Sequence, residues 1–368
     1  MPWRWRLWVS ILTMMIGRTV TQLCKKSSSS QFRRHCLQAL SSFSSTDGSN
    51  SNTLPPMVYS HEYSCNWPES HRFPMSKFHD LYDYLTQCHA VDPTKLIEPI
   101  HPFDDNCGNN DVMEAARECH DHDYLERVLT NTLGDRERRR IGLYDRNEYA
   151  DLIPRRSFSE VGGTVLTVDL ALKHGVAVNL SGGTHHAAYS HGSGFCVVND
   201  IAIACTRALS LGHVKKILVF DCDVHQGDGT ATLFKGNNNV YTVSLHCEEN
   251  FPFTKALSDI DVGLSPGTSD TIYLQKCEDT LAKAIRDAKP DLVIYDAGVD
   301  VSEDDALGKL SLTDDGIYQR ELLVLSTCRK MNLPIAAVIG GGYSKSGKRA
   351  LASRHAKLHL AAIEVWNS

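Results

Sequence analysis

The chain has 368 residues, 42% hydrophobic and 22% charged, with a net charge of −6. This composition excludes a disordered chain and suits one large α/β domain or two smaller ones. The acidic balance gives no support to bulk or direct sequence-specific nucleic-acid binding, which favours a basic face.

Twelve cysteines occur without a single C-x-x-C pair, which argues against a zinc finger and a thioredoxin-like redox centre. Cys196, Cys222 and Cys328 lie in apolar or motif segments, as buried thiols of a reducing compartment do.

Residues 1–53 are a basic, serine-rich extension. No acid precedes Asp47, while Arg4, Arg6, Arg18, Lys25, Lys26, Arg33 and Arg34 are spread along it, with serines at 27–30 and 41–45. This is the composition of an organellar transit peptide, addressed to a plastid or mitochondrion; a secretory signal and a disordered tail without an address are the alternatives. The apolar stretch Leu7–Ile16 is too short for a membrane-spanning helix. Gly48–Pro56 reads as a linker, and residues 54–368 as the folded domain.

In chain order, Val58–Tyr59 begins a short strand. Helical periodicity runs through Met75–Cys88, and with interruptions through Val112–Leu129. His120 to Asp123 read as a solvated turn before a helix, because no buried strand delivers them. Arg136–Arg140 reads as an exposed loop or helix end. Ser159–His174 is an amphipathic helix ended by Gly175.

Strands follow at Val176–Leu180, Ile217–Phe220, Val240–Leu245, Leu292–Tyr295 and Ile335–Ile339. They alternate with helices from Asp200 to Leu211, Ile272 to Ala288, Thr313 to Lys330 and Lys348 to Val365. Asp200 and Thr313 are read as caps. Near-continuously apolar strands alternating with helices predict a three-layer α/β/α fold around a mainly parallel sheet. Neither a phosphate-cradling P-loop nor a dinucleotide fingerprint is present.

Four strands end in polar or glycine motifs: His185-His186, then Asp221/Asp223/His225/Asp228, then Asp300, then Gly340–Tyr343. The carboxyl edge of a parallel sheet is where ligands bind, so one pocket explains all four. If the third strand stays extended, Asp221, Asp223 and His225 share a face. Carboxylates and an imidazole converging in a buried site need compensation. Asp223, His225 and Asp300 supply the three ligands of a catalytic zinc, with Fe2+, cobalt or manganese as alternatives. His185 and His186 are placed for general acid–base work, with Asp221 and Asp228 as their carboxylate partners, and Tyr343 for stabilising an oxyanion. The sum is metal-assisted hydrolysis of an amide or ester.

Gly182-Gly-Thr-His-His-Ala187, Gly194-Phe-Cys196, Asp221-x-Asp-x-His-Gln-Gly-Asp-Gly229, Ala297-Gly-x-Asp300 and Gly340-Gly-Gly-Tyr343 together resemble the zinc-dependent histone deacetylase family over about residues 57–365. Gln226 and Leu307-Gly-Lys-Leu-Ser311 look most like its class IV. The resemblance implies the arginase–deacetylase fold and hydrolysis of N6-acetyl-lysine in histones or other proteins. It implies zinc on Asp223, His225 and Asp300, His186 with Asp228 as general base and acid, and His185 with Asp221 as its electrostatic partner. Tyr343 matches the carbonyl-polarising tyrosine, and Gly194, Phe195 and Leu307 match the acyl-lysine tunnel. It further implies a structural K+ at Asp221, Ser244 and Leu245, and a second cation site at Phe234, Asn237 and Val240.

The family address is nuclear or cytoplasmic, against which the basic extension stands. Corepressors are the family's partners, although no long tail carrying a corepressor-binding region follows Val365. Asp228 stands where asparagine is expected in some class IV members. Arginase-like two-manganese chemistry is disfavoured, since Gly227 and Ser302 stand where bridging carboxylates would be needed. Long-chain acyl-lysine and acetylpolyamine-like small amides remain alternative substrates for the same residues.

Overall fold

The structure is a computed structural model and describes residues 53–104, 110–143 and 151–368; the expectations for residues 1–52 lie outside the described residues. The elements in order are β1 (Met57–Val58), α1 (Lys77–Gln87), α2 (Asn110–Cys119), α3 (His122–Leu129), α4 (Asp135–Ile141), α5 (Leu152–His174) and β2 (Val176–Asn179). There follow α6 (Asp200–Ser210), β3 (Ile217–Asp221), α7 (Asp228–Leu233), β4 (Val240–Cys247), β5 (Ile260–Leu264) and α8 (Asp270–Ala288). The chain closes with β6 (Leu292–Asp296), α9 (Asp314–Lys330), β7 (Ile335–Val338) and α10 (Lys348–Trp366). Residues Leu54–Ser368 make one compact unit.

All seven strands pair in parallel, in the order β1-β2-β7-β6-β3-β4-β5. Every residue of β2, β3, β6 and β7 is buried. Their aliphatic runs fit this burial, because β-branched chains pack well on a pleat covered on both faces. Two helix sets supply the cover. α1, α10, α9 and α8 contact one another in turn, and α2, α6 and α5 form the other group; α5 and α10 both pack on β2.

Several boundaries differ from the sequence reading. Helix α5 begins at Leu152 rather than Ser159, because Pro154 lies in its first turn, where a missing N–H costs nothing. Gly175 ends it as expected, at φ 91°, its N–H bonded to Ala171 O. Thr313 caps α9, its hydroxyl accepting from Gly316 N at 3.0 Å. Edge strand β5 is absent from the reading; its half-exposed alternation carries only three apolar residues, Ile260, Val262 and Leu264. Arg136–Arg140 lies within helix α4. His120 is not solvated but fully buried: its Nδ1 donates to Ala188 O at 3.0 Å and its Nε2 accepts from Asn199 N at 3.0 Å.

Candidate active site

The four motif-bearing strands are neighbours in the sheet, in the order β2-β7-β6-β3, so their carboxyl ends face one edge. After β2 the chain turns sharply and presents His185 and His186. Asp200, expected to cap α6, holds this turn instead, accepting from Gly183 N at 3.1 Å and Thr184 N at 2.7 Å. The cap is Asn199, whose Oδ1 accepts from Ala202 N at 2.8 Å.

Each histidine bonds a carboxylate through Nδ1: His185 to Asp221 Oδ2 at 2.8 Å, and His186 to Asp228 Oδ1 at 2.7 Å. Their Nε2 atoms meet at 3.2 Å. The two rings differ electrostatically. Burial opposes charge on His185, but Asp221 and Asp223 outweigh it and raise its pKa well above the usual histidine value. Burial, reinforced by the His185 charge, lowers His186 to about 4.

Strand β3 ends at Asp221, so the extended face expected for Asp221, Asp223 and His225 does not form. The chain folds over instead. Asp221 Oδ1 accepts from Asp223 N at 3.0 Å, and Asp223 Oδ1 from His225 N at 2.9 Å. Asp221 thereby faces His185, while Asp223 and His225 turn towards Asp300. His225 Nδ1 lies 3.1 Å from both Asp223 Oδ1 and Asp300 Oδ2.

These three side chains are buried, and one ligand atom from each lies within 4.8 Å of the others. Burial works against charge on His225, yet hydrogen bonds to Asp223 and Asp300 raise it to about 10. Burial and the Asp223 charge push Asp300 up to about 7. Asp223 is by contrast held well below the usual carboxylate range, its burial outweighed by the charged His185 and the bond to His225, so the protons of the cluster sit on His225 and Asp300. Two carboxylates and an imidazole are a donor set that fits Zn2+, or Fe2+, in place of those protons.

Tyr343 follows β7 and stands over this cluster. Its N–H donates to Asp305 Oδ2 at 2.6 Å, and its ring centroid lies 5.9 Å from that of Phe195. Burial, then the Asp300 charge, raises its hydroxyl well above the usual tyrosine range. Gly194 and Phe195 form a left-handed turn (φ 53° and 68°) beside the catalytic histidines. A Cβ on Gly194 would stand 2.5 Å from His186 Cδ2, so this approach requires glycine. A small cavity, of about 40 Å³, is lined by Gly194, Phe195 and Tyr343 together with His185, His186, Asp223 and His225. Leu307 does not line that cavity; its carbonyl accepts from Asn250 Nδ2 at 2.9 Å.

Ser244 and Leu245 are buried on β4, with Ser244 in register beside Asp221. The Ser244 hydroxyl lies 3.0 Å from His246 Nδ1. Phe234, Asn237 and Val240 belong to the segment leading into β4, where Asn237 N donates to Phe234 O at 2.9 Å and Asn237 Oδ1 accepts from Asn239 N at 2.8 Å.

Three residues of the site escaped the sequence reading. Phe251 stacks edge-on against His186, centroids 4.9 Å apart; its signal is an aromatic before Pro252. Asp305, in the acidic pair after Glu303, receives N–H bonds from Leu307 and Gly308, both at 2.8 Å, besides that from Tyr343. Asp296 ends apolar β6, fully buried, 3.7 Å from His185 Nδ1, and neither oxygen has a hydrogen-bond partner. The motif read from Ala297 onward starts one residue too late to include it.

The histone deacetylase domain family matches residues 71–359. An uncharacterised protein of the cyanobacterium Picosynechococcus is 44% identical over 84% of this chain and 99% of its own length. Histone deacetylase 2 of Arabidopsis thaliana is 36% identical, over 52% of this chain and 51% of that protein. Acetoin utilization protein AcuC of Staphylococcus aureus is 29% identical, over 75% and 73%. Among solved structures, the HDA15 HD domain superposes with a TM-score of 0.64 at 20% identity, covering 85% of this chain and 94% of that one. An acetylpolyamine aminohydrolase from Burkholderia pseudomallei gives 0.65 at 19%, covering 84% and 98%; these two likenesses are of fold. The fold, the buried histidine–carboxylate site and the match over residues 71–359 agree: the chain belongs to the histone deacetylase family of hydrolases.

Proposed function

We propose that the chain hydrolyses the amide of N6-acetyl-lysine in histones or other proteins, as a metal-dependent deacetylase. The observation that carries this reading is the pair of buried histidine–carboxylate dyads, Nε2 atoms 3.2 Å apart, beside the Asp223–His225–Asp300 cluster. In this reading Asp223, His225 and Asp300 hold zinc. A bound zinc ion supplies a Lewis acid that makes water more acidic and polarises a carbonyl.

The remaining chemistry belongs to the chain. Asp228 fixes the His186 ring through Nδ1, leaving Nε2 to accept the proton of the attacking water. The low pKa of His186, about 4, keeps that nitrogen unprotonated before reaction. His185, held cationic by Asp221, faces the developing negative charge. Tyr343 keeps its hydroxyl proton and donates to the oxyanion. His186 then returns the proton to the departing lysine amine.

The same reading keeps two finer assignments. Class IV membership rests on Gln226, which donates to Ala256 O at 3.0 Å and Asp261 Oδ1 at 2.7 Å, and on Leu307 to Ser311. A structural K+ at Asp221, Ser244 and Leu245 is carried here by the motif resemblance alone, with Ser244 lying beside Asp221 in the β3–β4 register.

The test is turnover of an acetyl-lysine peptide by purified full-length His186→Ala and Tyr343→Phe, with metal content measured. Each variant is expected to lose about 10²–10⁴-fold in kcat while retaining its metal. Near-normal turnover in either variant contradicts the assigned roles.

A further inference from the structure

We propose that Tyr59, His61 and His79 form a second metal site, at the surface, for a divalent cation that favours imidazole, such as Zn2+, with water completing its coordination. The site lies outside the catalytic cavity, whose lining includes none of the three, and does not depend on the deacetylase reading above.

Three ligand atoms converge there. Tyr59 Oη lies 3.2 Å from His61 Nδ1 and 3.2 Å from His79 Nδ1. Both imidazoles are exposed, yet both turn Nδ1 inward onto the buried Tyr59. A phenol has a single proton, so it donates to only one of the two nitrogens and must accept from the other. Both contacts lie at the long limit for a hydrogen bond. They suit ligands of a shared ion better. In a tetrahedral zinc site with bonds of about 2.0–2.1 Å, neighbouring ligand atoms stand about 3.3 Å apart. A ring centre then lies about 3.2 Å from the ion, so two imidazoles on one ion stand up to about 6.4 Å apart. The centroids of His61 and His79 are 6.0 Å apart.

The rings are held for this role before any ion arrives. Tyr82 stacks on Tyr59, centroids 4.5 Å apart, and on His79 at 5.9 Å, and it meets His61 edge-on at 5.5 Å. His61 opens a short 3-10 turn, His61–Tyr63, which Ser60 caps and buried Tyr63 anchors. His79 stands on α1, next to buried Phe78. An ion on both histidines therefore ties the segment leaving β1 to α1.

The surrounding charge favours a cation. Asp83 Oδ2 lies 3.7 Å from His79 Nε2. A carboxylate on the far nitrogen orients a metal-binding imidazole and strengthens it as a ligand. Burial, then Tyr82, Asp83 and Glu98, raise the Tyr59 hydroxyl well above the usual tyrosine range. The negative charges that oppose a phenolate attract a dication to the same oxygen. Tyr59 is accordingly the weakest of the three ligands, and the two imidazoles carry the affinity.

The experiment counts metal. Full-length protein with its catalytic metal in place is equilibrated with micromolar free zinc, and bound zinc per chain is measured by mass spectrometry. The natural chain is expected to bind one zinc beyond the catalytic equivalent. His61→Ala and His79→Ala are each expected to bind that zinc at least about tenfold more weakly. Tyr59→Phe is expected to weaken it less, and His122→Ala, which removes an exposed histidine elsewhere, to leave it unchanged. A natural chain that binds no zinc beyond the catalytic equivalent overturns the second site, even where no variant folds. An extra zinc retained at full affinity by folded His61→Ala and His79→Ala is an adventitious surface ion and overturns it as well. Deacylation is not read in this experiment, so either failure leaves the catalytic reading untouched.

Discussion

At the scale of single residues, the site works by giving like groups unlike surroundings. His185 and His186 are adjacent, yet one is driven cationic and the other neutral. The difference lies in the charges each ring faces: His185 has Asp221 at 2.8 Å, Asp223 at 3.9 Å and Asp296 at 3.7 Å, whereas His186 has Asp228 at 2.7 Å and the charged His185 beside it. The sequence offered Asp221 and Asp228 as two spare acids for the two histidines, and the family resemblance said which acid goes with which ring. It did not show Asp296, since a single acid ending an apolar strand has no periodic signature.

His120 carries the same physics away from the site. Burial lowers its pKa from 6.5 to about 4, and its bonds to Ala188 and Asn199 select the neutral ring. Below pH 6.5 the unfolded chain binds a proton at this ring that the folded chain refuses until about pH 4. Its stabilisation is therefore complete above pH 6.5 and lost as pH falls through that window, a change on the order of 3 kcal/mol. Chemical denaturation from pH 7 to 4 is expected to show a steeper acid-side loss for the natural chain than for His120→Gln. Equal slopes in the two contradict the assignment.

At the scale of elements, the turns rather than the strands carry the chemistry, and the strands were the legible part. Apolar runs located six of the seven strands, and β5 was missed because an edge strand with a half-polar face has no such run. The turn after β3 was misread, because an extended continuation and a folded one place the same residue types in the same order. Side chain–backbone bonds from Asp221 and Asp223 decide for the folded one.

The turn after β7 makes a quantitative claim. Gly340 has φ 58°, and a Cβ there would stand 2.1 Å from Asp296 Oδ1 and 2.7 Å from Gly298 N. Gly212, after α6, has φ 69° and nothing within 4 Å. Gly212→Ala is expected to cost about 1–2 kcal/mol, the strain of left-handed backbone alone. Gly340→Ala is expected to cost clearly more, read by urea denaturation. Equal losses in the two variants contradict the close packing of Asp296 beneath this turn.

At the scale of the whole molecule, seven parallel strands bring four separate motifs to one edge, and the order β2-β7-β6-β3 makes them neighbours. That convergence was legible from β/α alternation, because parallel strands must share a carboxyl edge. Which helices cover which face, and how deep the cavity runs, were not, because both depend on contacts far apart in sequence, such as Lys77 with Gly340. Among the described residues no helix is long and apolar enough to cross a membrane.

The measurement that bears most directly on the central claim is hydrolysis of an acetyl-lysine peptide by the full-length protein. It is run with metal content determined, before and after chelation and zinc re-addition, beside an acetylated polyamine. The account predicts release from the peptide that chelation abolishes and zinc restores, with the polyamine the poorer substrate by kcat/KM. Release that persists after complete metal removal, or turnover of the polyamine alone, contradicts it.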